Sequence, residues 1–447
     1  MHTFDERAEA IAQANIQYAL ERVRMEPPPL DGPVDAATLR ERAGPTITAE
    51  GIGGERALKI FEEVLAPACI SGDHPRYLSF IPAAPTEASI LFDLVVGASS
   101  FCANSWMEAA GAIFAENEAL RWLADLAGFP ESSGGVFVSG GTAGNLSALV
   151  AARSEFRHRT GHQGRGAILT SAGAHASIAQ AGYVMDVDVI SVPGGSRLTG
   201  EDLGGFVSQL HKADLERIFA IVGTSGTTNL GIIDDLDAIA EVCGTYGWWM
   251  HVDGAYGGAA LAAPSARPSF QGIEQADSFI VDPHKWLFAP FDCCALLYRN
   301  PEHARAAHRQ HGEYLEVLYD GEWNPSDYAH HLSRRARGLP FWFSLATHGT
   351  KAYSDAVEKT ISTTHAAARL INAHSNCRLL AGPNLSIVVF ERTDWSASDY
   401  DTWSEKLLRS GDGFVVATRF EGKPALRFCI VNPNTSEDDI AHILSTL

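Results

Sequence analysis

Lysine is scarce in this sequence, with seven among 447 residues, while aspartate and glutamate together number 54 and the formal charge is −20. No basic run is longer than a few residues. That pattern excludes nucleic acid and anionic membrane surfaces as expected partners, because both need clustered positive charge. No apolar run approaches the ~20 residues needed to cross a bilayer. The N-terminal MHTFDERAEAIAQ is acidic and amphipathic, unlike a secretory leader. The seven cysteines (Cys69, Cys102, Cys243, Cys293, Cys294, Cys377 and Cys429) are odd in number and lack CxxC spacing. Neither a disulfide framework nor a metal site is expected, and a reducing cytoplasm is the expected location. Internal repeats and low-complexity segments are missing as well. So is GxGxxG, and no strand-end acid follows at the distance a ribose requires, which disfavours a dinucleotide site.

What is present alternates. Residues 4–24 and 55–66 read as amphipathic helices around the linker MEPPPLDGPVD, and helical spacing runs from about 85 to 128. GGVFVSGGTAGNLSALVAAR then reads as strand, glycine turn and helix. GAILTS, VDVISV, IFAIVGTSG, WWMHVDGA and DSFIVDP follow as short apolar runs, several separated by helix-like segments. This order predicts an α/β fold with a mostly parallel sheet covered on both faces. A long helical pattern is expected from Leu339 to Ala373, followed by strands in SIVVFER, DGFVVAT and ALRFCIVN and helices at 399–410 and 436–446, the last capped by Thr435 with Asp438. The expected division is an N-terminal helical segment (1–84), a large domain (85–345) and a small C-terminal α+β domain (346–447).

In such sheets ligands bind outside the carboxyl ends of the strands. The first strand end offers Ser139 to Asn145, a glycine turn opening a helix, whose N–H groups favour a phosphate; half of such turns are only tight connections. The next leads to His175, a residue that more often caps a helix than reacts. IFAIVGTSGTTNLG ends in small hydroxyl residues from Thr224 to Thr228. WWMHVDGA ends in Asp253, a carboxylate that must be paired or used, because burying it unpaired costs several kcal/mol. DSFIVDPHK ends in Lys285, which either pairs with Asp253 or acts as an amine nucleophile. His211-Lys212 repeats the dipeptide in a polar segment and lacks that setting. A phosphate cradle, an aromatic ring, an acid and a lysine together fit pyridoxal 5'-phosphate, which needs each of them.

The matching stretches HPRYLSFIP (74–82), VFVSGGTAGNLSAL (136–149), AHASIAQAG (174–182), HVDGAYGG (251–258), ADSFIVDPHKWLF (276–288) and LRFCIVNP (426–433) are spread over most of the chain. Through them the sequence resembles the group II pyridoxal-phosphate-dependent amino acid decarboxylases, which include aromatic-amino-acid, tyrosine, glutamate and diaminobutyrate decarboxylases. The resemblance implies the fold type I architecture and a homodimer with the active site at the subunit interface, the N-terminal helices covering the partner. It implies that Lys285 carries the cofactor as a Schiff base, Asp253 pairs with its pyridinium and His175 stacks on its ring. Gly140, Gly141, Thr142 and His284 would contact the phosphate, and Thr224 and Ala255 the ring or its hydroxyl. The expected activity is decarboxylation of an L-amino acid to its amine and CO2.

Three departures bear on that expectation. Some members carry Asn in place of Asp282; a carboxylate near the phosphate would repel it, so Asp282 is expected to point away. Proton return in the family often uses a tyrosine on a mobile loop, and residues 301–332 hold Tyr314, Tyr319 and Tyr328, of which Tyr328 is the expected acid. Loss of that acid diverts such enzymes toward oxidative deamination. The positions expected to line the substrate pocket, Asp73, Phe80, Ile81, Ala83, Cys102 and Asn104, are more polar than a pocket built for an indole or catechol ring; Phe80 suits an aromatic side chain and Asp73 equally a cationic one. The alternatives are another fold type I activity, for which Arg427 is a formal carboxylate-binding arginine, and a non-catalytic protein that keeps the fold.

Overall fold

The computed structural model describes residues 2–310, 312 and 323–447. The chain divides into two compact units. One is formed by residues up to Pro82 with Ala366–Gly382 and Val388–Leu447, the other by Ala83–His365 with Pro383–Ile387. The N-terminal residues thus group with the C-terminal ones instead of standing as a separate segment.

The larger unit is built on seven strands: β1 (Gly134–Val138), β2 (Ala167–Thr170), β3 (Asp188–Ser191), β4 (Ile218–Thr224), β5 (Trp249–Asp253), β6 (Ser278–Val281) and β7 (Cys294–Tyr298). Their order across the sheet is β1-β7-β6-β5-β4-β2-β3. The pairs from β3 to β6 are parallel, and β7 runs antiparallel to both β6 and β1. Every residue of β4, β5, β6 and β7 is buried, which follows from continuous apolar runs covered on both faces. The helix Gly141–Thr160 packs its small face (Gly144, Ala148, Ala151, Ala152) on one side. A Cβ added at Gly144 would come within 2.9 Å of Ile280 and 3.1 Å of the Cys294 sulfur, so the approach of helix to sheet needs glycine there. On the helix Leu236–Tyr246, Leu236, Ile239, Ala240 and Cys243 are buried at helical spacing.

The continuous helical patterns of the sequence are divided in the structure. The stretch from 85 becomes Glu87–Ser99 and Trp106–Leu126, interrupted where Ser100 takes φ 53°. The pattern from Leu339 becomes Leu339–His348 and Thr350–Ala373, broken at Gly349 with φ 78°.

The second sheet, most of whose residues belong to the smaller unit, is formed by β8 (Cys377–Asn384), β9 (Ile387–Arg392), β10 (Ala417–Phe420) and β11 (Lys423–Cys429), ordered β10-β11-β9-β8. Val388, Phe390, Leu426, Phe428 and Ile430 pack with Tyr400, Trp403, Ile440 and Ile443 of two helices. The last helix, Glu437–Ser445, starts one residue later than expected: Ser436 is the cap, and Asp439 completes its capping box.

In the larger unit, Arg334 and Glu116 form a fully buried pair, bidentate at 2.7 Å on both arms. Glu116 also accepts from Gly338 N at 2.8 Å, and Arg334 donates to Ala103 O at 2.8 Å. The pair ties residues 334–338 to the helix Trp106–Leu126. Removing one partner strands a buried charge, so Glu116→Ala is expected to cost about 3–5 kcal/mol, read as a lowered denaturation midpoint; an unchanged midpoint would refute it.

Candidate active site

Lys285 lies on the single turn Pro283–Trp286, which follows β6 directly and leads into the antiparallel return to β7. Pro283 opens the turn at a position where a missing N–H costs nothing. Trp286 anchors it: the ring is fully buried, donates Nε1–H to Thr360 Oγ1 at 2.9 Å and stacks on Tyr256 at 5.4 Å. This anchoring directs the neighbouring Lys285 at the strand ends. Its Nζ lies 2.7 Å from Asp282 Oδ2, so the acid expected to point away is in the site and paired with the lysine. The correction has a simple cause: an aspartate buried at the end of β6 needs a cation, and Lys285 three residues on supplies it. Burial alone would lower the lysine's pKa, but the adjacent Asp282 raises it above its ordinary value overall. Burial likewise pushes Asp282 up, and Lys285, His284 and Cys294 together more than offset this, leaving the carboxyl below its usual range.

Asp253, at the end of β5, is satisfied by hydrogen bonds. Its Oδ2 accepts from Asn145 Nδ2 at 2.9 Å and its Oδ1 from Ala255 N at 3.1 Å. Asn145 is a hub. Its Nδ2 also donates to Ser177 Oγ at 2.9 Å, and Ser177 Oγ in turn meets His175 Nδ1 at 2.9 Å. With its amide nitrogen donating twice, Asn145 offers Oδ1 as an acceptor to His251 Nε2 at 2.8 Å. His251 Nε2 therefore carries the proton, and Nδ1 accepts from Ser278 Oγ at 2.8 Å, which accepts from Trp249 Nε1 at 2.8 Å. The same logic puts the His175 proton on Nε2, because Ser177 N also donates to its Nδ1, at 3.2 Å. Burial holds His251 neutral, lowering its pKa to about 4.

The residues present fit pyridoxal phosphate. Gly140 precedes the 20-residue helix Gly141–Thr160, whose N-terminus has no side-chain cap. N–H groups at such an uncapped start suit a phosphate. A Cβ at Gly141 would sit 3.0 Å from Ala255 Cβ and 3.3 Å from Asp282 Oδ2, and one at Gly140 3.9 Å from the His284 ring. The cradle, Ala255, Asp282 and His284 are therefore neighbours. His284 lies with Nδ1 against the Cys293 backbone (N at 3.0 Å, O at 2.7 Å) and Nε2 3.6 Å from Asp282 Oδ2. Thr224 Oγ1 is buried without a hydrogen-bond partner among the described residues, as a group awaiting a ligand would be.

The other expected site residues take no part in the hydrogen bonds that join Asn145, Ser177, His175, Asp253 and His251 among the described residues. Tyr328 is 4% exposed, stacked on Trp323 at 3.9 Å and part of the core that contains Leu149 and Ala152. Core packing of so large a ring outweighs loop exposure, so the expected proton donor is here a core residue; Tyr314 and Tyr319 lie outside the described residues. Asp73, Phe80 and Ile81 belong to the smaller unit. Asp73 is held by Arg22 at 2.8 and 3.1 Å. Cys102 and Asn104 lie beside the segment after residue 323, where Ser326 N donates to Asn104 O at 3.1 Å. Arg427, in the smaller unit, is 7% exposed, and its Nε and Nη2 find no partner among the described residues.

The roles of Asn145, Ser177, His251 and Ser278 were missed. Strand alternation could have found His251, which shares a face with Asp253 two residues on. The helix register could not have aimed Asn145 at β5 without the tertiary packing.

Burial holds His251 and His308 neutral with pKa about 4 and His331 with pKa about 3. In the unfolded chain histidine titrates near 6.5, so the unfolded state takes up protons that the folded state refuses. Their stabilisation is complete above about pH 6.5 and is lost as pH falls toward 4. His308 Nε2 contacts Ser147 O at 2.9 Å. A His308→Gln variant, whose amide can replace that donor, is expected to lose less stability than the parent between pH 7 and about 4.5. Comparing the two in urea isolates the histidine from Asp234, whose pKa, raised to about 6 by burial, acts in the opposite sense. Equal losses would refute the assignment.

Comparison with known proteins identifies the family. Residues 50–393 match the family model described as the pyridoxal-dependent decarboxylase conserved domain. An aromatic-L-amino-acid decarboxylase of Bacillus atrophaeus is 28% identical over 433 residues, covering 93% of this chain and 89% of that protein. An L-2,4-diaminobutyrate decarboxylase of Rhizobium meliloti (strain 1021) is 30% identical over 421 residues, covering 89% and 82%. The Oryza sativa TDC solved with PLP and tryptamine superposes with a TM-score of 0.89 at 22% identity, covering 98% of this chain and 97% of that one, a likeness of fold. With the family model matching more than half its length, the chain belongs to the pyridoxal-dependent decarboxylases, carboxy-lyases that act on amino acids.

Proposed function

We propose that the chain decarboxylates an L-amino acid with an aromatic side chain, using Lys285 as the residue that holds the cofactor. The observation that carries the choice of side chain is Asp73. Its carboxylate is bidentate with Arg22, which neutralises the one acid among the expected substrate-binding positions. Phe80, by contrast, is 59% exposed and has φ 51°, its ring 6.0 Å from Phe414, which packs on Tyr77 at 4.9 Å. A cationic substrate would need a free carboxylate; an aromatic one needs a ring of this kind.

Within the larger unit the chain's own residues divide the work. Gly140, Gly141 and Thr142 would hold the phosphate at the helix N-terminus, assisted by His284, while Thr224 and Ala255 would border the ring. Asp253, held by Asn145 Nδ2 and Ala255 N, would pair with the ring nitrogen. His175, its tautomer fixed through Ser177, would lie on the ring face with Nε2–H available. When bound, pyridoxal phosphate supplies the electron sink that accepts the pair left as CO2 departs. A second reading is aldehyde formation by oxidative deamination, in which dioxygen is reduced to hydrogen peroxide while the amino acid and one water leave as aldehyde, CO2 and ammonia. The burial of Tyr328 favours it, because the residue expected to return the proton is engaged in the core.

Incubation with each common L-amino acid, ornithine and 2,4-diaminobutyrate, following CO2 and product mass, tests both readings. CO2 with an aromatic amine is the expected result. CO2 with diaminopropane would overturn the aromatic assignment, aldehyde with ammonia would establish the second reading, and a keto acid without CO2 would overturn both. Lys285→Ala is expected to lose the yellow colour and turnover together. Phe80→Ala should raise KM for the aromatic substrate about two- to tenfold, the equivalent of about 0.5–1.5 kcal/mol of ring contact.

A further inference from the structure

The Lys285–Asp282 pair poses a problem that the family reading leaves open. The pair stands beside the phosphate cradle, since a Cβ at Gly141 would lie 3.3 Å from Asp282 Oδ2. An ionised carboxylate there repels a phosphate, and an ammonium at Lys285 cannot attack an aldehyde. Both obstacles disappear if one proton passes from Nζ to Oδ2 across the 2.7 Å between them. We propose that Asp282 is the proton acceptor for Lys285: it holds the lysine as an ammonium before cofactor arrives and takes its proton as pyridoxal phosphate is captured. In atoms, the ammonium of Lys285 gives one proton to the Asp282 carboxylate, making a neutral amine and a neutral acid. The amine condenses with the cofactor's aldehyde with loss of one water, and the acid is left able to donate a hydrogen bond to the neighbouring phosphate.

The surroundings single out Asp282 as the acceptor. Asp282 is 1% exposed, so no bulk water competes for the proton. The groups facing the pair are Asp253 from β5, Cys294 from β7 with Cys293 just before it, and His284 from the same turn. Burial pushes both thiols well up, keeping them protonated and uncharged. His284 is held below its ordinary value, first by burial. Asp253 is engaged by Asn145 and Ala255. Asp282 is thus the acceptor that the structure places at hydrogen-bond distance from Nζ. The proposal rests on the reading of Lys285 as the cofactor-bearing lysine and is independent of which amino acid is the substrate.

The test follows cofactor capture by the full-length apoprotein, without turnover. The rate at which the visible band develops on mixing with pyridoxal phosphate is measured against pH for the parent and for Asp282→Asn, with Lys285→Ala as control. Removing the counter-ion is expected to shift the midpoint of the rate profile to lower pH by about one to three units. Pyridoxal, which has no phosphate, is expected to show the same shift. Equal midpoints would overturn the proposal. A change with pyridoxal phosphate but not with pyridoxal would also overturn it, making Asp282 a repeller of phosphate only. A band that persists in Lys285→Ala would instead refute the underlying assignment of Lys285. If Asp282→Asn does not fold, acetylation of Lys285 in the parent apoprotein, read by mass spectrometry against pH, decides the matter. A midpoint above that of the exposed Lys423 is expected, and one at or below it overturns the proposal.

Discussion

Two carboxylates buried side by side at the ends of adjacent strands are the constraint around which the larger unit is organised. Asp253 closes β5 and Asp282 follows β6, both almost without exposure. Neither charge could remain there unsatisfied, since a bare buried carboxylate costs several kcal/mol. The fold meets the two costs differently. Asp253 receives neutral donors, which leave its charge available to a ligand. Asp282 receives a cation from its own turn, and each partner's charge is then committed to the other until something displaces it.

Much of the surrounding structure follows from supplying those partners. Asn145 can reach Asp253 because the helix Gly141–Thr160 approaches the sheet closely at Gly144, where no side chain fits. His251 and Ser278 orient Asn145 from below, and Trp249 fixes Ser278. Each donor in this line has one acceptor, so the protons have one arrangement, and the tautomer of His175 is decided by Ser177, whose hydroxyl and backbone N–H both face its Nδ1. Lys285 reaches Asp282 because Trp286 is anchored by Thr360 and Tyr256. A buried polar network of this kind specifies geometry only if it is complete, and from Trp249 to His175 it is.

The same principle accounts for the placement of Tyr328. Next to an aromatic neighbour and at the foot of a core, a tyrosine gains more from packing its ring than from exposure on a loop. The Arg334–Glu116 pair fixes the chain a few residues further on, so the segment that carries Tyr328 is held at both its ring and its following backbone.

The sequence by itself determined the alternation of strand and helix, the glycine turn and the residues at the strand ends, because burial on both faces writes continuous apolar runs and because chemistry must stand where such runs stop. It placed Lys285, Asp253, His175 and the cradle. It did not determine the partner of Lys285: a lysine and two buried acids allow either pairing, and only the anchoring of Trp286 decided for Asp282. Nor did it decide the breaks at Ser100 and Gly349, where helical periodicity is continuous and a residue of positive φ ends the helix. Asn145 and His251 show the limit most plainly. One lies on a helix and the other on a strand, 106 residues apart in sequence, and their 2.8 Å contact exists only once helix and sheet have met.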